Sequence, residues 1–378
     1  MKLFAIIRRL IAIAFFVGVI VLFAILKKNP DVAEAITRTI SRYYCKGAVF
    51  VSGLAPHVSL TEIMFVVVII VALVLVVCAI VDLFKFHPGK AICKLLDIAL
   101  IASVIFALYS VACEAAYNRK AMPLPYYEQE VTRGENGENF IAIYNYYAND
   151  VNACVAELEF DESGDLKARK LDDIVKEVKE AYSIVTDPYF HDHFGNVKPM
   201  YISSLLYREF QITGVDFNAL GEANINILNT HVNIPMTVAH ELAHSKGIMR
   251  EDDCNQLAFY VCLNSNSAYL RYSAYASYFY QIQSIGSGTY LTEEERTHLV
   301  LIDNQFNKTR NYVYKYWKKH DALAKFADFF NNLYLKSSGA KEGTQSYNGG
   351  TSYEYDPTQA KLYPSKYQKL FLEKYYRE

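Results

Sequence analysis

His240-Glu241-Leu-Ala-His244 holds two imidazoles four residues apart, with a carboxylate directly after the first. On an α-helix this spacing stacks the histidines one turn apart on one face, where both can reach a single tetrahedral ion at about 2.0–2.1 Å. Glu241 points about 100° away around the helix, beside such an ion rather than on it. From there a carboxylate can take a proton from a zinc-bound water and pass it to a leaving amine. The pattern implies metal-assisted hydrolysis, with His240 and His244 as zinc ligands and Glu241 as catalytic base.

A tetrahedral site needs a third protein ligand. Were the helix unbroken, Glu251 would share the histidines' face but lie about 10 Å beyond His244 along the axis. Gly247 supplies a break, because glycine adopts the left-handed conformation that ends helices, and a second helix starting near Arg250 can return a carboxylate to the ion. Glu251 is the preferred ligand, with Asp252 and Asp253 as competitors. A chance match on a core helix would bury two histidines and a glutamate among Val238, Ala239, Leu242 and Ala243. Unless something pairs them, that costs several kcal/mol. Of the other histidines, His191-Asp192-His193 reads as a solvated loop and His231 as a turn residue.

The elements that must position these groups are legible in part. Leu171, Ile174, Val175, Val178, Tyr182 and Val185 repeat at helical spacing and stop at Asp187-Pro188. Asn224-Ile225-Asn226-Ile227 alternates polar and apolar as a half-buried edge strand would. Pro235 suits the first turn of the motif helix, and Thr292-x-x-Glu295 fits a capping box. Past Asp252 the chain reads as mostly helical. The stripe Tyr269, Tyr272, Tyr275 is assigned to packing, and Tyr367 to Tyr376 to a last helix. Ser337 to Asp356 is too long and glycine-rich for an ordinary connector and is a candidate cover for a cleft.

Hydrophobic residues make up 52% of the chain and charged residues 21%, with the apolar weight near the N-terminus. Leu10–Leu26, Ile63–Val81 and Leu95–Cys113 each approach the roughly 20 apolar residues that cross a bilayer. They read as transmembrane helices over residues 10–26, 63–84 and 92–113. Lys2, Arg8 and Arg9 before the first run, and Ala33-Glu34-Ala35 after it, also fit a cleaved signal segment. Lys27-Lys28 and the two runs that follow favour retention. Asp97 in the third run requires an interfacial position or a protein partner. The positive charges divide almost evenly between the two sides, and those flanking the first run favour a cytoplasmic N-terminus. Residues 1–120 form the membrane region. Pro123-Leu-Pro125 and Thr132 to Glu138 are read as an exit linker into a domain spanning 121–378.

A net charge of −2, with no basic stripe, disfavours nucleic acid as a partner. Seven scattered cysteines form no disulfide framework. An intramembrane protease is disfavoured because Asn233 and Arg250 to Asp253 leave the motif helix too short to span.

Gly221-Glu-Ala-Asn-Ile-Asn226, Pro235-Met-Thr-Val-Ala-His-Glu-Leu-Ala-His244 and Gly247-Ile-Met-Arg-Glu251-Asp-Asp-Cys-Asn255 occur in that order. With Asn331-Asn-Leu-Tyr-Leu335 and Ser346-Tyr347, they give a sequence that resembles the bacterial membrane family known as domain of unknown function 3810. Its members are similar to gluzincin metallopeptidases. The resemblance implies an α+β, predominantly helical fold: N-terminal transmembrane helices, then a zincin (gluzincin-like) metallopeptidase domain with a small sheet, outside the cytoplasm. It implies an integral membrane protein whose partners are the lipid bilayer and a peptide or protein substrate. It maps the third ligand onto Glu251 and gives Asn255 the task of orienting a ligand histidine by hydrogen bond. Cys254 stands where such proteins carry alanine, and Tyr347 is a candidate transition-state stabiliser. A catalytically inactive zinc-binding sensor or scaffold is the alternative reading.

Overall fold

The computed structural model describes residues 2–321, 323–338 and 342–377. The chain opens with α1 (Lys2–Leu26), then a short α2 (Pro30–Ile36) that runs through a π-helical stretch, Thr37–Ser41, into α3 (Arg42–Gly53). Two long helices follow, α4 (Leu60–Phe84) and α5 (Pro88–Ala112). Helices α1, α4 and α5 are long and apolar enough to cross a membrane. All three extend past the apolar runs at their N-terminal ends, so Arg8 and Arg9 lie inside α1. Arg9 Nε donates to Asp97 Oδ1 at 2.6 Å, which gives the carboxylate of the third run a protein partner. Phe23 and Leu26 near the end of α1 cluster with Val111 at the end of α5. The first and third helices therefore run parallel, as three successive crossings demand.

The remainder begins with β1 (Val131–Thr132), α6 (Glu138–Glu157), α7 (Leu171–Ala181), β2 (Asn196–Met200) and α8 (Ser204–Glu209). Next come β3 (Gly214–Phe217), β4 (Glu222–Asn226), α9 (Ile234–Ser245), α10 (Glu251–Leu263) and α11 (Ala268–Gln283). The chain closes with α12 (Glu293–Arg296), α13 (Asn304–Lys319), α14 (Ala324–Ser338), β5 (Glu354–Asp356), β6 (Lys361–Tyr363) and α15 (Lys366–Arg377). The fold is predominantly helical, with two small sheets of order β1-β6-β5 and β2-β4-β3. The expected capping box forms at Thr292 and Glu295. Tyr269, Tyr272 and Tyr275 are buried in the main core, as packing residues should be.

Three sequence expectations need correction. The strand at Asn224 is no edge. β4 lies between β2, to which it is parallel, and β3, to which it is antiparallel, and all five of its residues are buried. Its polar face meets protein instead of water: Glu222 accepts from the N–H groups of Leu60 and Thr61, and Asn224 Oδ1 accepts from Ser59 Oγ. The first turn of α4 is thus fastened to the sheet. His191 is buried rather than solvated, its ring nitrogens 3.2 Å from the Ser245 carbonyl and 3.0 Å from that of Thr37. Only Asp192 of that trio is exposed, paired with Arg42 and Lys46. Finally, the stretches read as an exit linker are built into the fold: Thr132 pairs with Lys361, and Leu124 packs against the main core.

Candidate metal centre

Helix α9 starts on Ile234 with Pro235 in its first turn and is buried on nearly all sides, so its path is fixed by apolar packing against α7, α10, α11 and the β3-β4 pair. It ends as the sequence requires. Gly247 has φ +84, its N–H bonds the His244 carbonyl at 2.9 Å, and the Ile248 N–H reaches back to Ala243 at 3.4 Å. That pair of bonds is the Schellman ending, with Ile248 and Ala243 both buried against the core. The turn does more than stop the helix. The Ile248 carbonyl it exposes accepts from His244 Nδ1 at 2.9 Å, which leaves Nε2 of that ring free.

Arg250, in extended conformation, precedes α10, and Glu251 is the first residue of that helix. Glu251 and Asn255 are four apart and share one face, as His240 and His244 do on α9. The two faces meet. Asn255 Oδ1 lies 2.8 Å from His240 Nδ1, so His240 also turns its Nε2 outward. Glu251 Oε2 is 3.1 Å from His240 Nε2 and 3.7 Å from His244 Nε2. Ligand atoms of His240, His244 and Glu251 lie within 4.8 Å of one another, and among the described residues no other such trio occurs. Two atoms bound to zinc at tetrahedral angles stand roughly 3.4 Å apart, so this donor set fits the ion.

The competing carboxylates point elsewhere. Asp253 accepts from Arg250 Nε at 2.6 Å, and Asp252 lies against Gly349. The Cys254 thiol sits 3.3 Å from His244 Nδ1, on the side of the ring away from the donor cluster, and burial pushes its ionisation well up. His231 donates its backbone N–H to Asp165 and takes no part.

Glu241 faces β3. Burial and the nearby charge of Glu251 lift its carboxyl to about 7, against the opposing charge of His240 and a hydrogen bond from the Asp216 backbone. Burial disfavours the charged form of His240, but its bond to Glu251 and the charges of Glu241 and Glu251 outweigh this and hold it at about 9. Burial lowers His244. Burial also opposes the charged form of Glu251, but the two histidines draw its carboxyl below the ordinary range.

A match to the family described as a protein of unknown function (DUF3810) covers residues 36–353. The chain belongs to this family. No curated protein and no solved structure matches it. The segment matched to DUF3810 takes in α3, the second and third long helices, the donor cluster and Tyr347.

Two neighbours of Glu241 carried no signal in the sequence. At Gly214 a Cβ would stand 2.6 Å from Glu241 Oε1, so only glycine leaves room for the carboxylate there. Asp216, two residues on, has Oδ1 buried without a hydrogen-bond partner, and burial with the charge of Glu241 raises its carboxyl well above the ordinary range. Neither stands out beforehand, because short strands bring them in from outside the motif. Tyr347 approaches by its backbone: its carbonyl accepts from Asn255 Nδ2 at 3.2 Å, while its hydroxyl meets Asn331 Nδ2 at 3.3 Å. The 3-10 turn Gly343–Asn348 is thereby fixed against α10. Residues 339–341 of the expected cover lie outside the described residues.

Asn255 links His240 to that turn, so its removal should loosen the imidazole without removing a donor. Asn255→Ala is expected to weaken zinc binding about 10- to 100-fold, the usual effect of losing a group that orients a metal ligand. Competition with a chromophoric chelator measures this, and an unchanged affinity would remove Asn255 from the site.

Proposed function

We propose that the chain is a membrane-anchored zinc-dependent metallopeptidase, with His240, His244 and Glu251 holding the ion and Glu241 as general base. One observation carries this reading: two Nε2 atoms and a carboxylate oxygen converge, with an uncoordinated glutamate next along the same helix. When bound, zinc supplies Lewis acidity, making water a nucleophile near neutral pH and polarising a carbonyl. The chain's own groups do the rest. The Ile248 carbonyl and Asn255 keep both rings aimed. Glu241, next along α9 from a ligand and outside the converging trio, is placed to take a proton from water and return it to the leaving nitrogen.

The strand arrangement favours a polypeptide substrate. Among the described residues β3 is one of the two edges of its sheet, and its Gly214 end lies against Glu241. An extended peptide added to that edge would carry an amide past the carboxylate. The helix pair with its small sheet supports a gluzincin-like fold. The charges around α1 favour placing the site outside the cytoplasm.

The test offers the zinc-loaded full chain, in lipid nanodiscs, a mixture of unfolded polypeptides and reads new N-termini by mass spectrometry. Zinc-dependent cleavage that stops with a chelator is expected. A complete absence of new termini would contradict the reading.

A further inference from the structure

The segment between β2 and β3 carries a run of side chains that the protein leaves uncovered. Tyr201 is 67% exposed, Ile202 62%, Leu205 62% and Leu206 51%. Four large apolar groups within six residues are an unusual load for a surface facing water. Their position is fixed by a residue of α4. The Glu62 carboxylate accepts from the N–H groups of Tyr201 at 3.0 Å, Ile202 at 2.9 Å and Ser203 at 2.6 Å, and from the Ser203 hydroxyl at 2.6 Å.

Glu62 marks a definite height. The uncharged stretch of α4 runs from Ile63 to Val81 and is closed by Glu62 at one end and Asp82 at the other. At 1.5 Å per residue it is about 28 Å long, just the thickness of the hydrocarbon, so it cannot slide by much in either direction. The hydrocarbon boundary therefore falls at about Ile63, one residue from the carboxylate that holds Tyr201 to Ser203. Because Glu62 satisfies those three N–H groups, the backbone can lie at that depth without unpaired donors.

A second element lies at the same level. Lys198 of β2 donates to the Ser52 and Ala55 carbonyls at the end of α3, a few residues before α4 begins. Phe50 and Leu54 beside that junction are 74% and 75% exposed.

We propose that this rim, Tyr201, Ile202, Leu205 and Leu206 of the α8 segment with Phe50 and Leu54 of α3, is inserted into the leaflet where α4 begins. Lipid is the occupant because the rim is continuous with a membrane-crossing helix and bonded to its first turn. Tyrosine and aliphatic side chains at that depth are the usual composition of such a boundary. The candidate metal centre is then held at the bilayer surface. The ring of Phe217 stands 5.5 Å from that of Phe65 in α4, and Gly214, beside Glu241, is three residues further along β3, about 10 Å. Together with the hydrolase reading, on which this consequence rests, the geometry selects polypeptides that emerge from or lie on the membrane as substrates.

The chain's single tryptophan, Trp317, makes the insertion measurable. Full-length protein carrying Trp317→Phe with either Leu205→Trp or Ile202→Trp is reconstituted in phosphatidylcholine vesicles, with or without bromine at the 6,7 positions of an acyl chain. Both substituted residues are exposed, so folding is not at stake. Emission from each new indole is expected to be blue-shifted and to fall at least twofold in brominated vesicles. It should fall less when the bromines sit deeper, at the 11,12 positions, whereas Leu73→Trp in mid-α4 should show the reverse order. Unquenched, water-like emission would overturn the proposal. Blue-shifted but unquenched emission would overturn it equally, by showing that protein covers the rim. Neither result depends on zinc or turnover, so failure here leaves the hydrolase reading intact, and failure of that reading leaves the insertion intact.

Discussion

Glu241→Gln is expected to abolish peptide cleavage while leaving zinc bound. The two side chains have nearly the same shape, so the amide keeps its place against Gly214 and the Asp216 backbone. What disappears is a group able to accept and return a proton. General base and acid roles together are worth at least about 10²- to 10⁴-fold in rate. The metal should remain, because Glu241 stands outside the trio of converging donors. Initial cleavage rates and zinc per chain are measured on the same preparation. Full activity in the variant would remove Glu241 from the chemistry, and loss of zinc would make it a ligand. A wild-type chain with zinc, no cleavage and no effect of the substitution would instead fit a sensor or scaffold.

Arg119→Leu should produce the largest loss of stability. The Arg119 side chain is 1% exposed and its partner Glu34, on α2, is 13% exposed. The guanidinium pairs with both Glu34 oxygens at 2.9 Å, donates to the carbonyls of Gly247 at 2.8 Å and Tyr189 at 2.6 Å, and lies over the Tyr189 ring. Removing one partner of a buried pair typically costs about 3–5 kcal/mol; Arg38, whose Nε donates to Glu34 Oε1 at 2.5 Å, leaves the carboxylate one counter-ion and sets the expected loss at the lower end of that range, to which the unpaired Gly247 and Tyr189 carbonyls add. Arg119→Leu combined with Glu34→Leu should recover part of that loss. The same cation also holds the turn that ends α9. Zinc affinity should therefore fall in the single variant, although Arg119 touches no donor. Denaturant midpoints in detergent micelles and chelator competition read both effects. A change below about 1 kcal/mol, the scale of a surface ion pair, would contradict this role.

The donor cluster was the most legible part of the molecule because its information is local. Histidines four apart, a glycine three residues later and a carboxylate four beyond that fix a helix, its ending and a return. In the structure Gly247, Ile248 and Glu251 stand where that reasoning requires. The three long apolar helices were legible for a similar reason, since length and absence of charge suffice. Helix α6 does not stand out in the sequence, although Phe140, Ile143, Tyr144, Tyr147, Val151 and Cys154 repeat at helical spacing and are buried. Its polar neighbours Asn145, Asn149 and Asp150 obscured the pattern. What adjacent residues do not carry is which surfaces meet. Alternation in β4 signals a strand correctly but implies water on its polar face, where the first turn of α4 is docked. The same limit hid Gly214, Asp216 and the burial of His191, each set by a segment distant in sequence.

The central claim concerns a metal, and the most direct measurement is the zinc content of the full chain purified in detergent, compared with His240→Ala and His244→Ala. About one zinc per wild-type chain is expected, with strong depletion in both variants, since two donors cannot complete the tetrahedral set. Wild-type protein that takes up no zinc when offered it, or variants that retain the wild-type amount, would contradict the assignment.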